Sequence, residues 1–280
     1  MKVYSTISEL KKALNLLKKD GAKIGFVPTM GALHNGHLSL VKESNNQCDI
    51  TVVSVYINPT QFNNSSDFEH YPRTLEKDLS LLERENCNIV FTPSDNEIYP
   101  DNFEKISLDL GQLAEIMEGK FRPGHFDGVM NVVYRLFDII QPDKAFFGLK
   151  DFQQVAVIKF MVKQLNLPVE IIPCPTLREN DGLAMSSRNI RLTNEDKANA
   201  LILFKTLDFA QSLKKQGRSP KEVQKEAVTF FKASNLELEY FEIVDPLTLA
   251  SLENEWVNNS TACIVAYCND VRLIDNLELN

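Results

Sequence analysis

Through the first two-thirds of the chain, apolar residues form short unbroken runs. Between them lie stretches where apolar positions recur every three or four residues. The runs at 23–28, 49–57, 88–92, 105–110, 144–147 and 169–173 read as strands. The periodic stretches at 5–19, 36–46, 74–86, 124–141 and 152–165 read as helices. The first helix opens on Thr6-Ile7-Ser8-Glu9, a capping box, and repeats Leu10, Leu14 and Leu17. Unbroken apolar strands alternating with helices predict a parallel sheet covered on both faces. Right-handed crossovers make that sheet doubly wound and Rossmann-like, with ligands at the carboxyl ends of the strands.

The pattern changes near residue 177. A polar loop, LRENDGLAMSSRNIRL, leads to a helix start at Thr193-Asn194-Glu195-Asp196, with Ala200, Leu203, Leu207 and Ala210 on one face. Gly217 stops that helix, and Ser219-Pro220-Lys221-Glu222 starts the next. Strand-like runs follow at 236–244, 261–267 and 271–274, the last two flanking an Asn269-Asp270 turn. The expected fold is α/β: a Rossmann-like domain over residues 1–176, then a smaller α+β domain over residues 177–280.

Composition narrows the function. The chain has 280 residues, 44% apolar and 24% charged, enough for a large core. A net charge of −8 argues against a nucleic-acid partner but leaves room for a local basic pocket. The five cysteines form no C-x-x-C pair, which suits reduced thiols in the cytoplasm. No signal-peptide h-region opens the chain, and no apolar run reaches the length of a membrane span. The expectation is a cytoplasmic protein with no membrane partner.

The most distinctive stretch is GFVPTMGALHNGHLSLV (25–41), where a strand meets a helix through a Gly-containing turn. His34 and His37 stand three apart there. A helix N-terminus offers N–H groups and positive dipole to a phosphate, and two imidazoles can donate to its oxygens. Read alone, the histidines also suit a solvated turn or half of a zinc site, although no suitably spaced partner completes the latter. Neither Walker A nor G-x-G-x-x-G is present. H-x-G-H after a strand matches the nucleotidyltransferase superfamily, which includes the class I aminoacyl-tRNA synthetases.

Four further segments carry polar groups at element ends. Asn58-Pro59-Thr60-Gln61-Phe62 follows the second strand and reads either as an Asn-Pro turn or as ligand-contacting amides. EGKFRPGHFDGV (118–129) brings Arg122 and His125 to the start of an apolar helix. FGLKDFQQ (147–154) places Lys150 at a sheet edge, in reach of a polyphosphate, with Asp151 able to cap a helix. Met185-Ser186-Ser187-Arg188-Asn189 suits phosphate, or is a Ser-rich linker, and is similar to the K-M-S-K-S loop of class I synthetases.

Taken in order, PTMGALHNGHLSL (28–40), NPTQF (58–62), DFEHYPR (67–73), EGKFRPGHFDGV, FGLKDFQQ and RENDGLAMSSRN (178–189) resemble the pantoate–β-alanine ligase family. Phe152 and Asn180 stand where that family often has Tyr and Pro, and past Leu192 no motif is matched. The resemblance implies ATP, with Mg²⁺, as a substrate, and a pantoyl-adenylate intermediate attacked by β-alanine. It assigns catalysis to His34, His37 and Lys150, with His37 as a proton donor. ATP contacts fall to Met30, Gly31, Ala32, Leu33, His34, Asn35, Gly36 and His37, to Gly148, Leu149, Lys150 and Asp151, and to Leu177, Met185, Ser186, Ser187 and Arg188. Pantoate falls to Gln61, Gln154 and Asn58, with Pro28, Met30, Phe62 and Val129 around its gem-dimethyl group. Gln61 also serves β-alanine, and Tyr71, Arg122 and His125 line that substrate's entry. No protein metal cage is implied. The family relation further implies a homodimer and a C-terminal domain acting as a lid. Two other readings stay open: a different H-x-G-H nucleotidyltransferase acting on a cofactor precursor, and a nucleotide-binding module without catalysis.

Overall fold

The early apolar runs come together as one sheet in a computed structural model that describes residues 1–280. Its strands are β1 (Lys2–Tyr4), β2 (Ile24–Thr29), β3 (Ile50–Val55), β4 (Ile89–Phe91), β5 (Lys144–Gly148) and β6 (Glu170–Cys174). Every pairing is parallel, in the order β1-β4-β3-β2-β5-β6. Successive side chains take opposite faces. Phe26, Val52, Phe91 and Phe147 enter one core with Leu10, Met130 and Ile158, from the helices Ile7–Lys19, His125–Ile140 and Phe152–Gln164. Val27, Val53, Val90 and Phe146 enter the other with Leu38, Val41 and Leu82, from the helices Asn35–Gln47 and Leu75–Arg84. Phe26, Phe91 and Phe146 are fully buried, each stabilising the fold by about 1.5–3 kcal/mol.

Residues 105–110 correct the sequence reading. They alternate like a strand but join no sheet. Instead Asn131 takes the partner's place: its Oδ1 accepts from Ile106 N at 2.9 Å and its Nδ2 donates to Ile106 O at 3.1 Å. Ile106 and Leu108 still pack on the core, which explains the alternation. Conversely β1, three residues long and exposed along most of its length, carries too little pattern to be read.

The strand order reverses between β2 and β5, which pair at Gly25–Lys144 and Phe26–Ala145. In such sheets the crevice outside the strand ends at that reversal is the ligand site.

By packing, the chain forms two units: Met1–Leu149 with Gln154–Pro175, and Lys150–Gln153 with Thr176–Asn280. In the second, the helices Asn194–Lys215 and Pro220–Phe231 cover an antiparallel sheet. Its strands are β7 (Glu237–Val244), β8 (Thr261–Cys268) and β9 (Val271–Glu278), in that order. Ala200, Leu203, Leu207 and Ala210 face its core, as their spacing predicts. Thr193–Asp196 and Ser219–Glu222 are complete capping boxes, and their hydrogen bonds hold both carboxyls below the usual range. Asn269 turns β8 into β9 at φ 54°. No helix is long and apolar enough to cross a membrane.

All five cysteines are free thiols, and all but Cys48 are buried. Burial pushes the Cys87 thiol up to about 12 and Cys174 to about 11. A thiol reagent at neutral pH is therefore expected to label Cys48 alone in the native protein and all five in urea. Mass spectrometry of the labelled protein checks this, and rapid native labelling of Cys87 would contradict the packing.

Candidate active site

The turn after β2 is built by a buried carboxylate. Gly31 sits at φ 80° and Ala32 at φ 49°, both left-handed. A Cβ on Gly31 would stand 3.1 Å from Asp78 Oδ2 and 3.1 Å from Val55, so both the conformation and the space call for glycine. Asp78 is fully buried; its Oδ2 accepts from Ala32 N at 2.9 Å and its Oδ1 from Leu33 N at 2.8 Å. Thr74 Oγ1 donates to the same carboxylate at 3.2 Å. The amides of Ala32 and Leu33 are thus already engaged, and the turn is fixed before any ligand arrives.

His34 caps the helix Asn35–Gln47 with its Nδ1, which accepts from Gly36 N at 3.1 Å. His37 Nδ1 accepts from His34 N at 3.4 Å. The rings lie 4.1 Å apart, tilted by 40°. An imidazole that accepts at Nδ1 carries its neutral-form proton on Nε2. In their neutral form both histidines thus have Nε2–H, on one helix end beside the sheet reversal. From the sequence, the main-chain amides of the turn are the expected anion donors alongside the imidazoles. Here the amides of Ala32, Leu33 and Gly36 are taken up by side chains of the protein itself.

After β3, Gln61 is oriented from three sides. Asn58, 1% exposed, donates from Nδ2 to Gln61 Oε1 at 3.0 Å and to Gly128 O at 3.2 Å. Its Oδ1 accepts from Tyr99 OH at 2.9 Å, Thr60 Oγ1 at 3.0 Å and Thr60 N at 3.3 Å. Asn58, expected as a pantoate contact, has both polar atoms hydrogen-bonded within the protein, one of them to the Gln61 side chain. Gln61 Nε2 points to Met30 Sδ at 3.2 Å, which joins the first and second motifs. A Cβ on Gly128 would stand 2.4 Å from Thr60 O, so glycine is what lets the helix approach this segment.

Arg122 and His125 also depart from expectation. His125 is buried, and its Nδ1 meets Gln61 O at 2.7 Å; Arg122 Nη2 donates to the same oxygen at 3.4 Å and pairs with Glu118 at 3.3 Å. Both thus meet the Gln61 carbonyl, in the segment that follows β3. Tyr71, likewise buried, packs edge-on against Phe62 at 5.6 Å. Gly148 ends β5 and Leu149 follows it, and Gln154 lies in the first turn of the next helix.

In the second unit, Lys150 is mostly covered, and its Nζ lies 3.7 Å from Asp151 Oδ1. Ser186 caps the 3₁₀ turn Ser187–Arg191, accepting from Arg188 N at 3.2 Å. Leu177 O accepts from Met185 N at 3.0 Å, so Leu177 and the Ser-Ser-Arg segment form one hairpin-like loop. Sequence reasoning missed Asp78, Thr60, Tyr99, Asp275 and Asn276. Asp275 had a signal: it continues the inward phase of Val271 and Leu273 on β9, where a charge is out of place.

The pantoate-beta-alanine ligase family model matches residues 2–278. Pantothenate synthetase from Porphyromonas gingivalis is 47% identical over 281 residues, covering 99% of each chain. The crystal structure of pantothenate synthetase from Thermus thermophilus superposes with a TM-score of 0.94 at 40% identity, over 100% of this chain and 99% of that one. Pantoate-beta-alanine ligase from Francisella tularensis, complexed with β,γ-ATP and β-alanine, gives a TM-score of 0.84 at 37% identity, over 99% and 97%. With the motifs in order and the match spanning nearly every residue, the chain belongs to the pantoate–β-alanine ligase family.

Proposed function

We propose that the protein joins pantoate to β-alanine, with ATP cleaved to AMP and pyrophosphate. The observation that carries this reading is the pair of imidazoles, His34 and His37, held by their Nδ1 atoms on the turn after β2. In the first step a pantoate carboxylate oxygen attacks the α-phosphorus of ATP and pyrophosphate leaves. In the second, the β-alanine amine attacks the acyl carbon, the amide C–N bond forms, and AMP departs with the acyl C–O bond broken. Neither step needs an enzyme nucleophile, so the residues act by positioning and charge stabilisation.

His34, His37 and Lys150 meet the charge that develops on the phosphates, and His37 donates a proton to it. Gln61 and Gln154 hold pantoate's hydroxyl and carboxylate groups, and Gln61 also serves β-alanine. Met30, Phe62, Pro28 and Val129 take pantoate's two methyl groups. Ser186, Ser187 and Arg188 suit phosphate oxygens. Mg²⁺ enters as part of the ATP complex: Asp78, the carboxylate at the turn, spends both oxygens on protein donors. The family relation also supports a homodimer as the working form.

Purified protein is expected to release AMP from ATP only when pantoate and β-alanine are both supplied. AMP release without β-alanine, or transfer of AMP to a different acceptor, would overturn the reading.

A further inference from the structure

The end of the chain, which carries no family motif, holds Lys150 in place. Asn276, on β9 and 8% exposed, donates from Nδ2 to Lys150 O at 2.9 Å. Its neighbour Asp275, 4% exposed, accepts from Asn276 N at 2.8 Å. Asp275 also takes both arms of the Arg178 guanidinium, at 2.6 and 2.9 Å. Arg178 in turn donates to Asn276 O at 2.8 Å and Gly182 O at 3.1 Å, and lies 4.5 Å over the Phe204 ring. Burial pushes the Asp275 carboxyl up and Arg178 pulls it back. A bidentate pair with this much added hydrogen bonding is rigid as well as strong.

Two separate stretches hang on this node. One is the backbone of Lys150. The other is the loop from Leu177 to Arg188, whose base is Arg178 and whose Arg178–Ala184 bridge leads directly to Met185 and the two serines. These stretches carry all the groups of the second unit to which the proposed function gives phosphate contacts. We propose that Asp275 and Asn276 are positioning residues that set the Lys150 backbone and the serine loop in mutual register. This rests on the ATP role given to Lys150 above.

The test compares Asn276→Ala with wild type by amide hydrogen exchange and by steady-state kinetics, alone and in a Lys150→Ala background. Exchange of amides 149–152 is expected to rise about tenfold with the remaining peptides unchanged. The kcat is expected to fall about tenfold with the KM for pantoate held, whereas in the Lys150→Ala background the added loss stays below about twofold. Unchanged exchange at 149–152, or an equal tenfold loss in both backgrounds, overturns the proposal. Asn276→Asp keeps the shape and removes the donor, so it supplies the same comparison if the alanine variant does not accumulate. Full activity in Lys150→Ala would instead remove the ATP role of Lys150, and the exchange result would still decide whether Asn276 orders that segment.

Discussion

The His37→Ala variant is expected to fold normally and to form adenylate about 10²–10³-fold more slowly, the loss typical of one charge-stabilising donor. The reason is geometric. The bond that His37 Nδ1 takes from His34 N is long, 3.4 Å, and the helix keeps its His34 cap without it. Its Nε2–H, by contrast, has no substitute in alanine. His37→Asn sharpens the test, because an amide oxygen can replace Nδ1 as acceptor while nothing replaces Nε2. Both variants are expected to be equally slow. Pyrophosphate release from ATP and pantoate, without β-alanine, reads this step directly. Turnover like that of wild type in either variant would end the assignment. His34→Ala differs in kind: it also removes a helix cap, so about 1 kcal/mol of stability is expected to go with the rate.

Asp78→Ala is expected to be the most destabilising single change around the turn, by about 2–6 kcal/mol, since two buried amides lose their acceptor at about 1–3 kcal/mol each. Ala32 and Leu33 are 3% and 5% exposed, so water cannot easily replace the carboxylate. Asp78→Asn is the milder case. Its oxygen can still serve one amide, but its NH₂ then faces the other, and a loss of about 1–3 kcal/mol is expected. Urea unfolding measures both, with stability separated from changes in slope. A loss under about 1 kcal/mol for Asp78→Ala would show that the left-handed turn at Gly31 and Ala32 stands without its anchor.

Much of this arrangement is legible in the sequence because its signals are local. Capping boxes at Thr193 and Ser219 need only four consecutive residues, and β2 to β5 announce themselves as apolar runs buried on both faces. The histidines, Lys150 and the serines proposed for the chemistry are likewise visible, because such polar groups gather where strands end. What sequence leaves hidden is partnership at a distance. Asp78 reads as an ordinary acid in a helix's first turn, yet its partners lie 45 and 46 residues earlier. Asn276 and Lys150 are 126 residues apart. Residues 105–110 show the reverse failure: the strand pattern is present, but a side-chain amide, Asn131, stands where a neighbouring strand would be. His125 and Arg122 are visible as polar groups beside an apolar helix, but their shared partner, the Gln61 carbonyl, is not.

Because Lys150–Gln153 pack with residues 176–280 although they precede β6 in the chain, the backbone passes between the two units more than once. A single cut near residue 176 would strand Lys150 on a fragment lacking Asn276. Recombination between relatives at that point would pair a lysine segment from one parent with an asparagine strand from another. Such chimeras are expected to keep the Lys150 segment ordered only where both parents supply that hydrogen bond.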